Sequence, residues 1–290
     1  MSEGRPRRSP DRRSPTARVF DRLRADRTRG ALSLSSEALG ILADLVNAWS
    51  GLSDTEARRA MRSTARSLEA AQPAMGSFLR WSTDLRRMAR SHTLRGPAAQ
   101  AESWFRKERS RLRAERAGLV RTSHERLQRA VRIVTLSRSR SVLWALEGRK
   151  GCRRPVLVSV LESLPGGEGR VFAKELRGRG VPARVIRDRQ GIREGAAADL
   201  LLVGADAVFS DGSLEHKVGT RALARAAFRA GVPVVVVAGR SKFALRPPPH
   251  RKLPAIFDRT PSRYISEIWT DRGMLRGGAP LARRTRRTSL

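Results

Sequence analysis

Four residues near the ends of two apolar runs are of the types that hold and protonate a polar ligand: Asp206, Lys217, Ser241 and Lys242. A carboxylate beside two ammonium groups suits a phosphorylated, hydroxyl-rich molecule, the lysines meeting phosphate and the carboxylate serving proton transfer. Residues 199–203 read as a buried strand, Gly204 to Asp206 as a loop, the stretch to about Ala230 as a helix, and Pro233 to Val237 as a second buried strand. In an open parallel sheet, ligands bind outside the carboxyl ends of the strands, so all four polar residues can face one crevice.

Such a crevice needs a whole sheet to carry it. Residues 131–135, 156–160 and 183–186 are further short apolar strands, alternating with helical patterns at 139–147 and 168–179. This alternation argues α/β architecture with a parallel, doubly wound sheet covered on both faces. Its strand ends add Thr135, Ser137 and Arg138, then Ser159, Glu162 and Ser163, then Arg187 and Asp188 to the polar edge, with Ser139 and Arg140 as further ligand-binding candidates. Before residue 131 the grammar is helical, with apolar residues at helical spacing in 31–49 and further helices to about Ala71, over 74–90 and over 98–130. Ser53 and Glu56 have the spacing of a capping box, and Pro73 stops the helix they start. The expected organisation is an Arg-, Pro- and Ser-rich disordered segment at 1–17, a helical domain at 18–130, a ligand-binding sheet domain at 131–275 and a flexible basic tail at 276–290, with ordered structure beginning near Val19 and a last helix at 261–271.

Composition narrows the classes. The formal charge is +33, and 60 Lys and Arg residues include only six lysines. Arginines are spread along the whole chain and aromatics make up 5%, with no basic run interleaved with stacking residues. A solvated Arg-rich surface is therefore favoured over a dedicated nucleic-acid site. Cys152 is the only cysteine, which excludes an internal disulfide and a thiolate metal cluster and fits a reducing cytoplasm. The four histidines share no metal-ligand spacing, and there is no Walker-type loop, GxGxxG or GxSxG element, so neither metal nor cofactor is expected. No apolar run has the character of a membrane span.

The runs VGADAVFSDGSLEHKVGT (203–220), VPVVVVAGRSKF (232–243) and FDRTPSRYI (257–265) resemble the translation initiation factor 2B alpha/beta/delta family, which also contains methylthioribose-1-phosphate isomerases and archaeal ribose bisphosphate isomerases. The resemblance covers about Asp26 to Gly273. It implies an N-terminal helical domain, a Rossmann-like C-terminal domain, and homodimers or higher assemblies built through the latter. It further implies that Asp206 matches a catalytic aspartate and that Lys217, His216 and Lys242 lie at substrate-contact positions. Glu162 stands at a family glutamate, and Arg29, Gly30 and Ala31 match a motif that closes over the phosphosugar.

Departures from the isomerase pattern redirect the reading. Ser137 occupies the position of the catalytic cysteine, and a hydroxyl is a much poorer proton donor and acceptor near neutrality than a thiol of pKa about 8.5. Ser137 is instead expected to cap the helix at 139–147. Leu164 and Gln72 replace arginines, and His216 replaces an asparagine. The leading expectation is a cytoplasmic, homo-oligomeric protein that binds a sugar phosphate or nucleotide and is regulatory and catalytically degenerate. The alternatives are an aldose–ketose isomerase of a phosphorylated pentose, and a translation- or RNA-associated factor using the basic surface.

Overall fold

The computed structural model describes residues 15–26, 30–93, 96–149, 155–244 and 253–278. The expected site residue Arg29, the lone Cys152 and most of the expected tail lie outside them. Five helices come first: α1 (Pro15–Ala25), α2 (Ala31–Trp49), α3 (Asp54–Ala71), α4 (Gly76–Met88) and α5 (Pro97–Leu127). Helix α1 thus starts ahead of Val19. At the start of α3 the Ser53 hydroxyl accepts from the Glu56 amide while the Glu56 carboxylate accepts from Ser53 N–H at 3.0 Å, so two otherwise orphaned donors are satisfied. Pro97 takes the first position of α5, where its missing N–H costs nothing. α2 is long and apolar enough, by length and composition, to cross a membrane. Its Leu34, Leu42 and Val46 instead lie in one core with Met61, Leu68, Phe78, Trp81 and Leu85 from α3 and α4.

Seven strands form the main sheet: β1 (Arg132–Leu136), β2 (Leu157–Leu161), β3 (Ala183–Ile186), β4 (Leu200–Gly204), β7 (Val234–Val237), β9 (Glu267–Thr270) and β10 (Gly273–Arg276), in the order β10-β9-β7-β4-β1-β2-β3. All pair in parallel except β10, which turns back on β9. The central strands β4 and β7 are buried on both faces, which is why they read as continuous apolar runs rather than alternating ones. Helices α6 (Arg140–Glu147), α7 (Glu168–Gly178), α8 (Gly191–Ala196) and α9 (Thr220–Arg229) complete the layers, with separate clusters of apolar side chains on the two sides of the sheet.

Three expectations need correction. The stretch after Asp206 is not one helix: β5 (Ala207–Val208) and β6 (Leu214–Lys217) pair antiparallel with each other and β6 with β8 (Phe257–Thr260), making a second, three-stranded sheet before α9 begins. The helix expected at 261–271 is β9 with its approach, because Val235 to Val237 offer a free parallel edge that Glu267 to Trp269 fill. The cap of α6 is Ser139, whose hydroxyl accepts from Val142 N–H at 3.4 Å, and not Ser137.

Chain order sets the crevice. β1, β2 and β3 run outward in one direction, and β4 returns to the other side of β1. The loops leaving β1 and β4 therefore diverge and open a gap at the carboxyl edge.

Candidate functional site

That gap is a cavity of about 110 Å³ whose wall includes Gly30 to Ser33, Leu136 to Arg140, Glu168, Gly204 to Asp206, Lys217, Thr220 and Lys242. Each side chain arrives for a local reason. Ser137 ends β1 in a left-handed conformation, φ 59°, and its amide donates to Ser163 Oγ at 2.6 Å. Ser163 is in turn held by Asp188, whose carboxylate accepts from the amides of Ser163 and Leu164, each at 2.8 Å. The polar ends of β2 and β3 thus brace the end of β1 and do not enter the cavity.

Gly204 passes so close to α6 that a Cβ there would lie 2.2 Å from Ser139 Oγ, so the β4 loop requires glycine at this contact. Asp206 follows. Its amide donates to Glu215 O and its carbonyl accepts from Gly76 N–H, both at 2.8 Å, so the small sheet and α4 clamp it from two sides. Burial pushes its carboxyl up to about 6, with Lys242 opposing the rise and Glu215 adding to it. Lys242 is buried, donating to Ala205 O at 2.6 Å and Ser141 Oγ at 3.3 Å. Desolvation lowers its pKa, while Asp206 and Glu115 act against that.

Lys217 donates to Glu168 Oε1 at 2.6 Å, and Glu168 Oε2 is buried without a hydrogen-bond partner. Arg140 donates to Ser33 Oγ, joining α6 to the first turn of α2. Burial lowers the Arg140 pKa, and Arg138 adds to this. The N-terminus of α2 has Gly30 as a cap with no side-chain hydrogen bond and no acidic residue in its first turn. The leading amides of a helix lack intrahelical partners and carry partial positive charge, so this end of the cavity wall is of a kind that can accept an anion.

Of the residues singled out from sequence, Gly30, Ala31, Ser137, Ser139, Arg140, Asp206, Lys217 and Lys242 line this one cavity. Glu162, His216 and Ser241 do not. Glu162 pairs with Arg170 at 2.8 Å, which holds its carboxyl below the usual range. His216 lies inside the small sheet, donating from Nδ1 to Gly204 O at 3.0 Å and accepting at Nε2 from Thr260 Oγ1 at 2.8 Å. Burial lowers its pKa to about 4, so the ring is neutral and acts on the cavity only by fixing Gly204. Gln72 is buried, donating to Leu23 O at 2.5 Å and Asp26 O at 3.3 Å, and Leu164 is exposed. Sequence reasoning missed Glu168, for which the turn GGEG ahead of a helix was the available signal, and Glu115, which reaches the site from α5 and had none. The Glu115 carboxylate accepts from Ser241 N–H at 3.3 Å behind Lys242. Among the described residues no cluster of His, Cys, Asp and Glu could hold a metal ion.

The chain is similar to the ribose 1,5-bisphosphate isomerase of Haloferax volcanii, at 31% identity over 274 residues and 84% of each chain. A methylthioribose-1-phosphate isomerase of Dechloromonas aromatica is 34% identical over 102 residues, covering 34% of this chain and 28% of that one. Among solved structures, the Pyrococcus horikoshii OT3 translation initiation factor eIF-2B superposes with a TM-score of 0.75 at 24% identity, covering 92% of this chain and 98% of that one. A chain of the tetrameric eIF2B-beta2-delta2 complex from C. thermophilum does so with a TM-score of 0.75 at 14% identity over 90% of both. These two likenesses speak to the fold. Residues 27–254 match IF-2B, the Initiation factor 2 subunit family, over well more than half the sequence, and the chain belongs to that family.

Proposed function

We propose that this protein binds a phosphorylated pentose in the crevice between β1 and β4, with little or no turnover of it. One observation carries the reading: a single cavity joins the N-terminus of α2, which no side chain among the described residues caps, and the Arg140 guanidinium to the Asp206 carboxyl. The first two meet a phosphate and the third meets sugar hydroxyls. Named relatives that act on ribose 1,5-bisphosphate and methylthioribose 1-phosphate support this ligand class.

Aldose–ketose isomerisation moves a proton between neighbouring carbons and needs one group to take it and one to give it. Asp206, with a pKa of about 6, suits the accepting role near neutrality. Ser137, at the end of β1, offers only a hydroxyl for the other. Binding in the service of regulation follows from that imbalance. Active isomerisation is the second reading, favoured by the Asp206 pKa and by the relatives named as isomerases.

Calorimetric titration with pentose phosphates tests the proposal. Binding is expected to weaken roughly 10-fold or more in Arg140→Met, from loss of a charge-assisted contact. If no pentose phosphate binds the wild-type protein, the reading is wrong. If wild type converts the sugar and Asp206→Asn does not, the second reading replaces the first.

The same reading includes self-association through the sheet-bearing half. Ile192 on α8 and Phe228 on α9 are about half exposed, apolar surface that a second copy would cover. Light scattering that finds only monomers at micromolar concentration would remove this part.

A further inference from the structure

We propose that Glu168 makes this crevice selective for a ligand with one phosphate, so that a pentose monophosphate binds more tightly than the corresponding bisphosphate. This rests on the reading of the crevice as a phosphopentose site. Four observations on the cavity wall carry it.

First, the cation that would serve a second phosphate is already used. Lys217 Nζ is 2.6 Å from Glu168 Oε1, and both side chains are largely buried, at 12% and 19% exposure, so the pair is held and weakly screened. Second, Lys242 donates inward, to Ala205 O and Ser141 Oγ, beside the Asp206 carboxyl. Third, of the five helices that start at the cavity, four have their leading amides or their field answered from within the protein, α4 by the Asp206 carbonyl that accepts from Gly76 N–H at 2.8 Å. Asp258 Oδ2 accepts from Gly219 and Arg221 at the start of α9, at 2.9 and 3.2 Å. Ser139 Oγ caps α6, and the Glu168 carboxylate itself occupies the first turn of α7. Only α2, with Arg140 beside it, offers an unanswered anion position among the described residues.

Fourth, the charge balance fits one phosphate. Arg140, Lys217 and Lys242 against Asp206 and Glu168 leave a single net positive charge on the wall, since Arg138 is paired with Glu175 at 2.9 Å. A phosphomonoester brings about −1.5 to −2, and a bisphosphate twice that. Glu168 Oε2, buried without a donor, adds a directional preference: a sugar hydroxyl can donate to it, and a phosphate dianion cannot.

The test is calorimetry on the full chain with ribose 1-phosphate, ribose 5-phosphate and ribose 1,5-bisphosphate, on wild type and Glu168→Gln, with Glu168→Ser as a second variant should the first fail to fold. Wild type is expected to favour a monophosphate by about 10-fold, the size of one charged hydrogen bond, and the variant to lose or reverse that preference as Lys217 is released. Tighter binding of the bisphosphate by wild type overturns the selectivity while leaving the phosphopentose site intact. A monophosphate preference that survives unchanged in both variants overturns the role of Glu168. Absence of binding by all three sugars overturns the site itself.

Discussion

Gly76 and Lys242 touch through their backbones: a Cβ on Gly76 would lie 1.9 Å from the Lys242 carbonyl oxygen, while the Gly76 amide donates to Asp206 O at 2.8 Å. The first residue of α4 thereby sets the spacing of the two loops that carry the buried carboxylate and the buried ammonium. Gly76→Ala must push backbone against backbone, which no side-chain rotation relieves. It is expected to cost roughly 1–3 kcal/mol by thermal denaturation and to weaken ligand binding as well. An alanine variant with wild-type stability and affinity would mean that α4 does not position these loops.

Asp206 and His216 should push stability in opposite directions over one pH range. The Asp206 carboxyl is raised from 3.8 to about 6, so between those values the folded protein binds more protons than the unfolded chain, and stability falls as pH rises. The His216 ring is lowered from 6.5 to about 4, so the unfolded chain binds more protons there, and stability rises with pH. Each effect is on the order of 3 kcal/mol, and they largely cancel. Denaturant titrations between pH 4 and 6.5 should show Asp206→Asn gaining stability with pH relative to wild type, and His216→Gln losing it. Parallel profiles for the two variants would contradict both assignments.

Glu115 supports the loop of Lys242 from behind, accepting from the Ser241 amide, and a Cβ on Gly239 would meet its carboxyl carbon at 1.8 Å. Glu115→Ala leaves that buried amide without an acceptor and opens space, a loss of about 2 kcal/mol. Glu115→Gln keeps an oxygen for Ser241 and is expected to fall between wild type and the alanine variant in stability and to keep binding within about threefold. If the two variants behave alike, the Ser241 contact is not what Glu115 contributes.

Ser137→Cys places a group of pKa about 8.5 at the end of β1 without changing the backbone bond from Ser137 N–H to Ser163 Oγ. On the proposed reading it should raise aldose–ketose turnover roughly 10-fold or more above a near-zero baseline, measured by ketose formation from a pentose 1-phosphate. No increase, with ligand affinity retained, would place the limitation elsewhere than at the missing proton donor.

The parallel sheet was legible because buried strands must be apolar throughout, and LLLV and VVVV leave few other readings. The crevice was legible because Asp206 and Lys242 follow two such strands. The small sheet was not: Ala207 and Val208 form a strand of two residues, held only by partners at 214–217 and beyond, and no local propensity marks it. At 261–271 the spacing of Tyr264, Ile265, Ile268 and Trp269 imitates a helix, and the vacant edge of β7 decides otherwise. Glu168 and Glu115 escaped notice because a carboxylate on a helix usually faces water, and only the assembled sheet turns these two toward lysines.

α5 begins in the helical core, where Glu108 holds Arg80 and Trp81, and continues past Ser241 to Gly118, which lies against the Asp271 backbone, and Leu119 and Leu127 in the core of the sheet. Thirty-one residues without a break make a rod about 46 Å long. Through Glu115 it is bonded to the Ser241 amide beside Lys242 and through Glu108 to Arg80 and Trp81 of α4, so a shift at either end strains the other. Amide-exchange protection at the first turns of α5 would accordingly rise on occupancy of a cavity those turns never touch.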